Sequence, residues 1–297
     1  MTELVLAVFG PTGSGKSGVA QALTERMPAE VVSADSMQVY RGLPVLTNQS
    51  PSRLVGIWPL EHEASVGEYQ QVAHAAIDEI LAAGRTPVVV GGTGLYLRAA
   101  LADLRLPPAP EPGAREHWER VYDEEGAERA HALLAELDPQ AASAVHPNDR
   151  RRVVRSLELS GHERERKNLW TDETRHPTLV FGLDVPKEEL ERRIAERTRA
   201  MFAAGLRDEV EAALAGGISA TARYALGLEA LAEHPDDEEA IEAIVARTKR
   251  YAAYQRKWMR RIPGLVSLPA DRPPGDIADA ILEVARARQR LPAGRAG

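Results

Sequence analysis

The chain has 297 residues, 44% of them hydrophobic and 27% charged, with a formal net charge of −7. Such a length suits one large domain or two modest ones, and the balance excludes general disorder. The absence of cysteine excludes disulfides, thiolate zinc sites, iron–sulfur clusters and a cysteine nucleophile. No apolar run approaches the roughly 18 residues of a membrane span. The start of the chain lacks the basic residues and long apolar core of a signal peptide, so a cytoplasmic protein with no membrane partner is expected. An acidic total also argues against a uniformly basic nucleic-acid binder; any such surface has to be local.

Taken in chain order, residues 4–9 read as a buried strand, 17–26 as a helix and 30–34 as a second short strand. Apolar residues at helical spacing (Val72, Ala75, Ala76, Ile77, Ile80, Leu81) predict a helix over 68–83, ended by Gly84. Residues 86–90 form a third strand. Helices between short, near-continuous apolar strands imply a parallel sheet with helices on its faces. Four prolines in residues 106–113 mark a break. Helices are predicted at 114–124, 127–137 and 150–159, with no strand among them. Strand character returns at 178–185, and everything beyond it reads as helical, with candidates at 188–204, 208–215 and 238–259. The tail after Leu291 reads as frayed. The expected architecture is an α/β P-loop core, a parallel sheet flanked by helices, made of residues 1–113 and 178–290. An all-helical domain, 114–177, is inserted into it.

Gly10-Pro11-Thr12-Gly13-Ser14-Gly15-Lys16-Ser17 fits GxxxxGK[ST] directly after a strand and at the start of a helix. In that setting backbone N–H groups and the helix N-terminus cradle a polyphosphate. Lys16 supplies a mobile ammonium and Ser17 a ligand for Mg²⁺. The motif does not say which polyphosphate. The third strand ends in Gly91-Gly92-Thr93-Gly94, without the carboxylate of an ordinary P-loop ATPase. The second runs into Asp35, which is expected beside the P-loop, one strand over, at the carboxyl edge of the sheet.

Several separated motifs then converge. Besides the P-loop there are residues 34–42 (ADSMQVYRG), Gly91-Gly92-Thr93-Gly94-Leu95-Tyr96, and His146-Pro147-Asn148-Asp149 with Arg151, Arg152 and Arg155. Further on come Phe181-Gly182-Leu183-Asp184, the stretch from Arg197 to Val210, and Thr248-Lys249-Arg250-Tyr251 with Gln255 and Trp258-Met259-Arg260. Together, over residues 4–262, they resemble the bacterial tRNA dimethylallyltransferases. The resemblance implies a P-loop that holds dimethylallyl pyrophosphate. Gly10, Thr12, Gly13, Ser14, Gly15, Lys16, Ser17 and Arg197 would grip the pyrophosphate, with Mg²⁺ on Ser17. Asp35 would be the general base for the N6 amine of adenosine 37, beside the anticodon, with the Thr93 hydroxyl assisting either the base or the pyrophosphate. Asp35, Ser36, Met37 and Gln38 would form a cup for the flipped adenine.

Charge is segregated along the chain. Residues 247–261 hold seven basic side chains and no acid, with Tyr251, Tyr254 and Trp258 interleaved; residues 150–155 hold four arginines. Basic clusters with aromatics suit phosphate contact and base stacking. Taken with the resemblance, they imply that Arg151, Arg152, Arg155, Arg256, Lys257 and Arg260 contact the anticodon stem-loop of tRNA, as does Arg115. Because the RNA supplies the partner surface, a monomer is expected.

The chain departs from the family pattern at residues 45–60, which lack the usual Gly-Thr-Ala-Lys-Pro run, and at Leu226-Gly227-Leu228-Glu229, where an acid replaces a lysine. Three other readings stay open on the residues alone. They are a P-loop kinase of a small molecule or nucleotide, an adenylate isopentenyltransferase, and an RNA-binding P-loop protein without turnover.

Overall fold

The computed structural model describes residues 4–106, 111, 113–160 and 171–290. The tail after Leu291 and most of the proline-rich break lie outside the described residues. The chain divides into two compact units, Met1–Leu104 with Leu169–Gly297, and Arg105–Asn168.

In the first unit the order is β1 (Val5–Phe9), α1 (Lys16–Arg26), β2 (Ala29–Ser33), α2 (Val66–Ala82), β3 (Thr86–Gly91) and α3 (Gly94–Leu101). The helical unit then contributes α4 (Ala114–Glu125), α5 (Ala127–Leu137), α6 (Pro139–Ala144) and α7 (Arg150–Glu158). The chain returns to the first unit with β4 (Thr178–Asp184), α8 (Lys187–Ala203), α9 (Leu206–Ala215), α10 (Leu228–Glu233), α11 (Asp237–Met259), β5 (Val266–Pro269) and α12 (Pro274–Arg290).

The five strands pair in parallel in the order β2-β3-β1-β4-β5. Every residue of β1 is buried, and its period of two sorts the core. Leu6 and Val8 join α1, α8 and α12 through Val19, Leu23, Ile194 and Ile281. Val5, Ala7 and Phe9 join α2 and α3 through Tyr69, Ile77 and Leu97. A third cluster packs Leu43 and Leu46 against α9, α10 and Ile244. The helical unit has its own small core of Ala130, Leu134, Val153 and Leu157, with Trp118 and Tyr122 against it. No helix among the described residues is long and apolar enough to cross a membrane.

Two expectations need correction. The chain beyond β4 is not wholly helical: β5 pairs Phe181 with Val266 and Asp184 with Pro269. A four-residue segment carries too little periodicity to announce a strand, and only its partner makes it one. The second correction concerns Asp35. Its strand, β2, is not next to β1, because β3 lies between them. Strand order is set by crossover topology, which local sequence does not encode.

Candidate functional site

The site lies at the carboxyl ends of β1, β2 and β3, the edge where open α/β sheets present their loops. After β1 the chain turns through Gly13 and Gly15, whose φ angles of 84° and 87° are left-handed, and α1 begins at Lys16. Lys16 Nζ donates to the carbonyls of Gly10 and Pro11, each at 2.9 Å. Burial lowers its pKa to about 8; Asp35 opposes the fall and Arg197 adds to it. Arg197, from α8, donates through Nη2 to Thr12 Oγ1 at 2.7 Å. Its Nε is buried and has no hydrogen-bond partner among the described residues. Burial lowers the pKa of this guanidinium as well, again with Asp35 opposing.

The loop is not a continuous row of inward amides, which corrects the expectation for Thr12 and Ser14. The Thr12 N–H donates to Gln255 Oε1 at 2.8 Å, and the Ser14 N–H to the Pro11 carbonyl at 3.1 Å. Ser14 itself is 1% exposed, with its hydroxyl buried and unpartnered. An ideal Cβ on Gly10 would stand 2.6 Å from that hydroxyl, so the Ser14 side chain lies against Gly10, just past the end of β1. This leaves Gly13, Gly15 and the first turn of α1 to offer N–H groups.

Asp35 reaches the site from β2 because β3 ends in glycine. A Cβ on Gly91 would meet the Ala34 carbonyl at 2.2 Å, so only glycine lets the Ala34–Asp35 peptide fold over that end. One Asp35 oxygen, Oδ1, accepts from the Met37 N–H at 2.9 Å; Oδ2 accepts no hydrogen bond among the described residues. Thr93 caps α3, with its hydroxyl 3.5 Å from Ser36 Oγ and 3.3 Å from the Tyr251 hydroxyl. Burial, reinforced by Asp35, pushes the Tyr251 phenol up to about 12, which keeps it protonated.

The remaining expected residues separate into groups. Met37 packs between two core clusters. Gln38 has both ends of its amide engaged: Oε1 accepts from Ser33 Oγ at 2.9 Å, and Nε2 donates to the Thr47 and Asn48 carbonyls at 3.1 Å each. It braces the 47–48 turn, and would have to exchange those bonds to read a base. A cavity of about 620 Å³ opens beside Ser17, lined also by Gln21, Ser33, Gln38 and Arg53. On α11, Lys257 and Arg260 are exposed and enter no ion pair among the described residues. Arg256 instead holds Asp184 at 3.0 Å. Tyr254 is 45% exposed and stands edge-on to Trp258.

In the helical unit, Arg115 and Arg155 converge on Glu158, whose side chain is fully buried, at 3.3 and 2.7 Å. Arg152 pairs with Asp149, while Arg151 is exposed. Gln255 has no expected role from the sequence and Tyr251 is expected only to stack; both point into the site. Their four-residue spacing, one helical turn, was the available signal.

Residues 38–262 match the model of the IPP transferase family. The tRNA dimethylallyltransferase of Thermobifida fusca is 42% identical, covering 93% of this chain and 92% of its own. That of Streptomyces coelicolor is also 42% identical, covering 87% and 88%. Among solved structures, the full-length tRNA isopentenylpyrophosphate transferase of Bacillus halodurans superposes with a TM-score of 0.68 at 29% identity, over 97% of this chain and all of that one. A eukaryotic dimethylallyltransferase solved while acting on tRNA has the same fold, with a TM-score of 0.77 at 24% identity, over 99% of this chain and 82% of that one. With its P-loop, its edge carboxylate and this breadth of likeness, the chain belongs to the IPP transferase family.

Proposed function

We propose that this chain transfers the dimethylallyl group of dimethylallyl pyrophosphate to the N6 amine of adenosine 37, next to the anticodon, in tRNA, releasing pyrophosphate. The names of its relatives support the reaction class. The observation that carries the assignment of residues is a charge imbalance. Two half-buried cations, Lys16 and Arg197, feel one carboxylate, Asp35, and the Arg197 Nε is buried with no hydrogen-bond partner among the described residues. Such a site favours a polyanion, and most strongly when charge grows on it.

In this reading the amine nitrogen forms a bond to the allylic C1 as the C1–O bond breaks. The bonding pair leaves with the pyrophosphate oxygen. Lys16 leaves the Gly10 and Pro11 carbonyls to meet that charge, and Arg197 meets it with its unpaired Nε. The amine proton passes to Asp35 Oδ2, the oxygen not engaged by Met37. Thr93, 3.3 Å from the Tyr251 hydroxyl, turns its own O–H toward the leaving group.

No cluster of three or more His, Cys, Asp or Glu side chains that could hold a metal occurs among the described residues. Ser17, whose hydroxyl makes no hydrogen bond among them, would hold a divalent ion through that oxygen. This donor set fits Mg²⁺, which needs few protein ligands. When bound it would neutralise charge on the pyrophosphate.

Lys257 and Arg260, with Tyr254 and Trp258, are the contacts we assign to the anticodon stem-loop. Residues 114–177 are assigned a supporting grip through Arg151 and Arg152. We place the enzyme in the cytoplasm as a monomer. Incubation with labelled dimethylallyl pyrophosphate and Mg²⁺ tests the reading. Label in tRNA is expected. Label in AMP instead identifies an adenylate isopentenyltransferase, and ATP-dependent phosphorylation of a small acceptor identifies a kinase.

A further inference from the structure

Gln255 is 3% exposed, yet both ends of its amide are used far from its own helix. Oε1 accepts the Thr12 N–H at 2.8 Å and Nε2 donates to the Gly92 carbonyl at 2.9 Å. These bonds span 243 and 163 residues of sequence. They join the loop after β1 to the turn after β3, the two segments that carry Lys16 and Thr93. Gly92 is shaped to the contact: a Cβ there would stand 2.3 Å from Gln255 Nε2 and 2.9 Å from the Gly10 carbonyl.

We propose that Gln255 is the positioning residue of the pyrophosphate cradle, fixing the Pro11–Thr12 peptide of the P-loop against the β3–α3 turn and so setting the leaving group in register with Thr93. The proposal rests on the reading above, in which the loop holds pyrophosphate. Its physical basis is complementarity of hydrogen bonding. A glutamine amide accepts from an N–H at one end and donates to a carbonyl at the other. With Thr12 pinned, the left-handed turns at Gly13 and Gly15 aim the remaining N–H groups. Without the pin, Thr12 N–H and Gly92 C=O lose buried partners and the loop relaxes to satisfy them. Gln255 touches no substrate in this arrangement and acts through the peptide it holds.

Calorimetric titration with inorganic pyrophosphate and Mg²⁺, beside steady-state kinetics, tests the idea on the full chain. Gln255→Met, which keeps shape and removes both hydrogen bonds, is expected to raise the pyrophosphate Kd and the donor KM together by about tenfold. The tRNA KM should stay within about twofold, a split that a general loss of structure does not produce. Gln255→Glu should be weaker still, since its carboxylate faces the Gly92 carbonyl and repels the anion. Gly92→Ala, which displaces the amide from the other side, is expected to reproduce the donor defect, and serves if the Gln255 variants fail to fold. Unchanged pyrophosphate affinity in folded variants overturns the proposal alone, as does an equal loss on both substrates. A wild-type chain with no affinity for pyrophosphate overturns the cradle reading and the proposal with it.

Discussion

Two stretches of the chain look alike as sequence and behave differently as structure. Residues 150–155 and 247–261 are both runs of arginine and lysine. In the helical unit the run is largely consumed. Arg150 holds Asp123 and Glu119 at 2.7 and 3.4 Å and lies over the Tyr122 ring, and Arg155 shares buried Glu158 with Arg115. On α11 the first half is consumed likewise, by Arg247 with Glu229 and Glu233 and Lys249 with Glu191. Of the rest of this run, Arg256 holds Asp184, but Arg250, Lys257, Arg260 and Arg261 are exposed and pair with no acid among the described residues. A basic run therefore indicates a ligand surface only where the fold supplies no acids to meet it. Glu229 makes the point in reverse. As a departure from the family pattern it removes a cation, and in the structure it holds Arg247.

The sharpest break of this comparison lies in the site itself, where the proposed reading assigns half-buried charges to a ligand. Asp35→Ala should lower turnover by at least about a hundredfold while tRNA affinity holds, since a general base contributes roughly 10²–10⁴. Equal loss of both would make Asp35 a folding or binding residue. Arg197→Ala should cost about a hundredfold in kcat/KM for the donor, with its partner Thr12 still in place; a normal donor KM and kcat would show that its unpaired Nε meets no anion.

Next in size is the contrast between the two basic runs. The double variant Lys257→Ala/Arg260→Ala should weaken tRNA binding about tenfold and reduce the salt slope by about 2, because each side chain neutralises one phosphate. Arg150→Ala should leave that slope alone and lower the melting temperature of the chain only slightly, because its carboxylate pairs are exposed. If the effects were reversed, the assignment of the two helices would be too.

The smallest effect is a pH limb. Burial holds Lys16 at about 8 in the folded chain, below its ordinary 10.5. The free protein therefore loses this ammonium as pH rises through about 8, and pyrophosphate affinity should fall there. Between about 8 and 10.5 the unfolded chain binds the extra proton, so stability gains from Lys16 over that window as pH rises. In Lys16→Arg the affinity limb should disappear from this range, because a guanidinium stays charged.

Much of the fold was legible because its signals are local. The apolar runs of β1 and β3, the P-loop between strand and helix, and the spacing of α2 and α11 each lie within one window of sequence. α5 matches its predicted bounds to the residue, set by Gly126 and by Asp138-Pro139. The same Asp138 caps α6, accepting the Ala141 N–H at 2.8 Å, a start signal that was present but unread. α3 was hidden by the glycines that begin it.

The sequence by itself determined the chemistry of the chain: a glycine-rich loop with Lys16 and Ser17, a carboxylate at a strand end, and a family pattern running through both. Its local periodicity also determined that helices would cover a parallel sheet. Tertiary structure decided which residues share the site. It put β3 between the P-loop strand and Asp35, turned Ser14 inward, spent the Thr12 N–H on Gln255, and divided the arginines into paired and exposed. The reason is that hydrogen bonds and ion pairs depend on distance in space, and the contacts that settle this site join residues up to 243 positions apart.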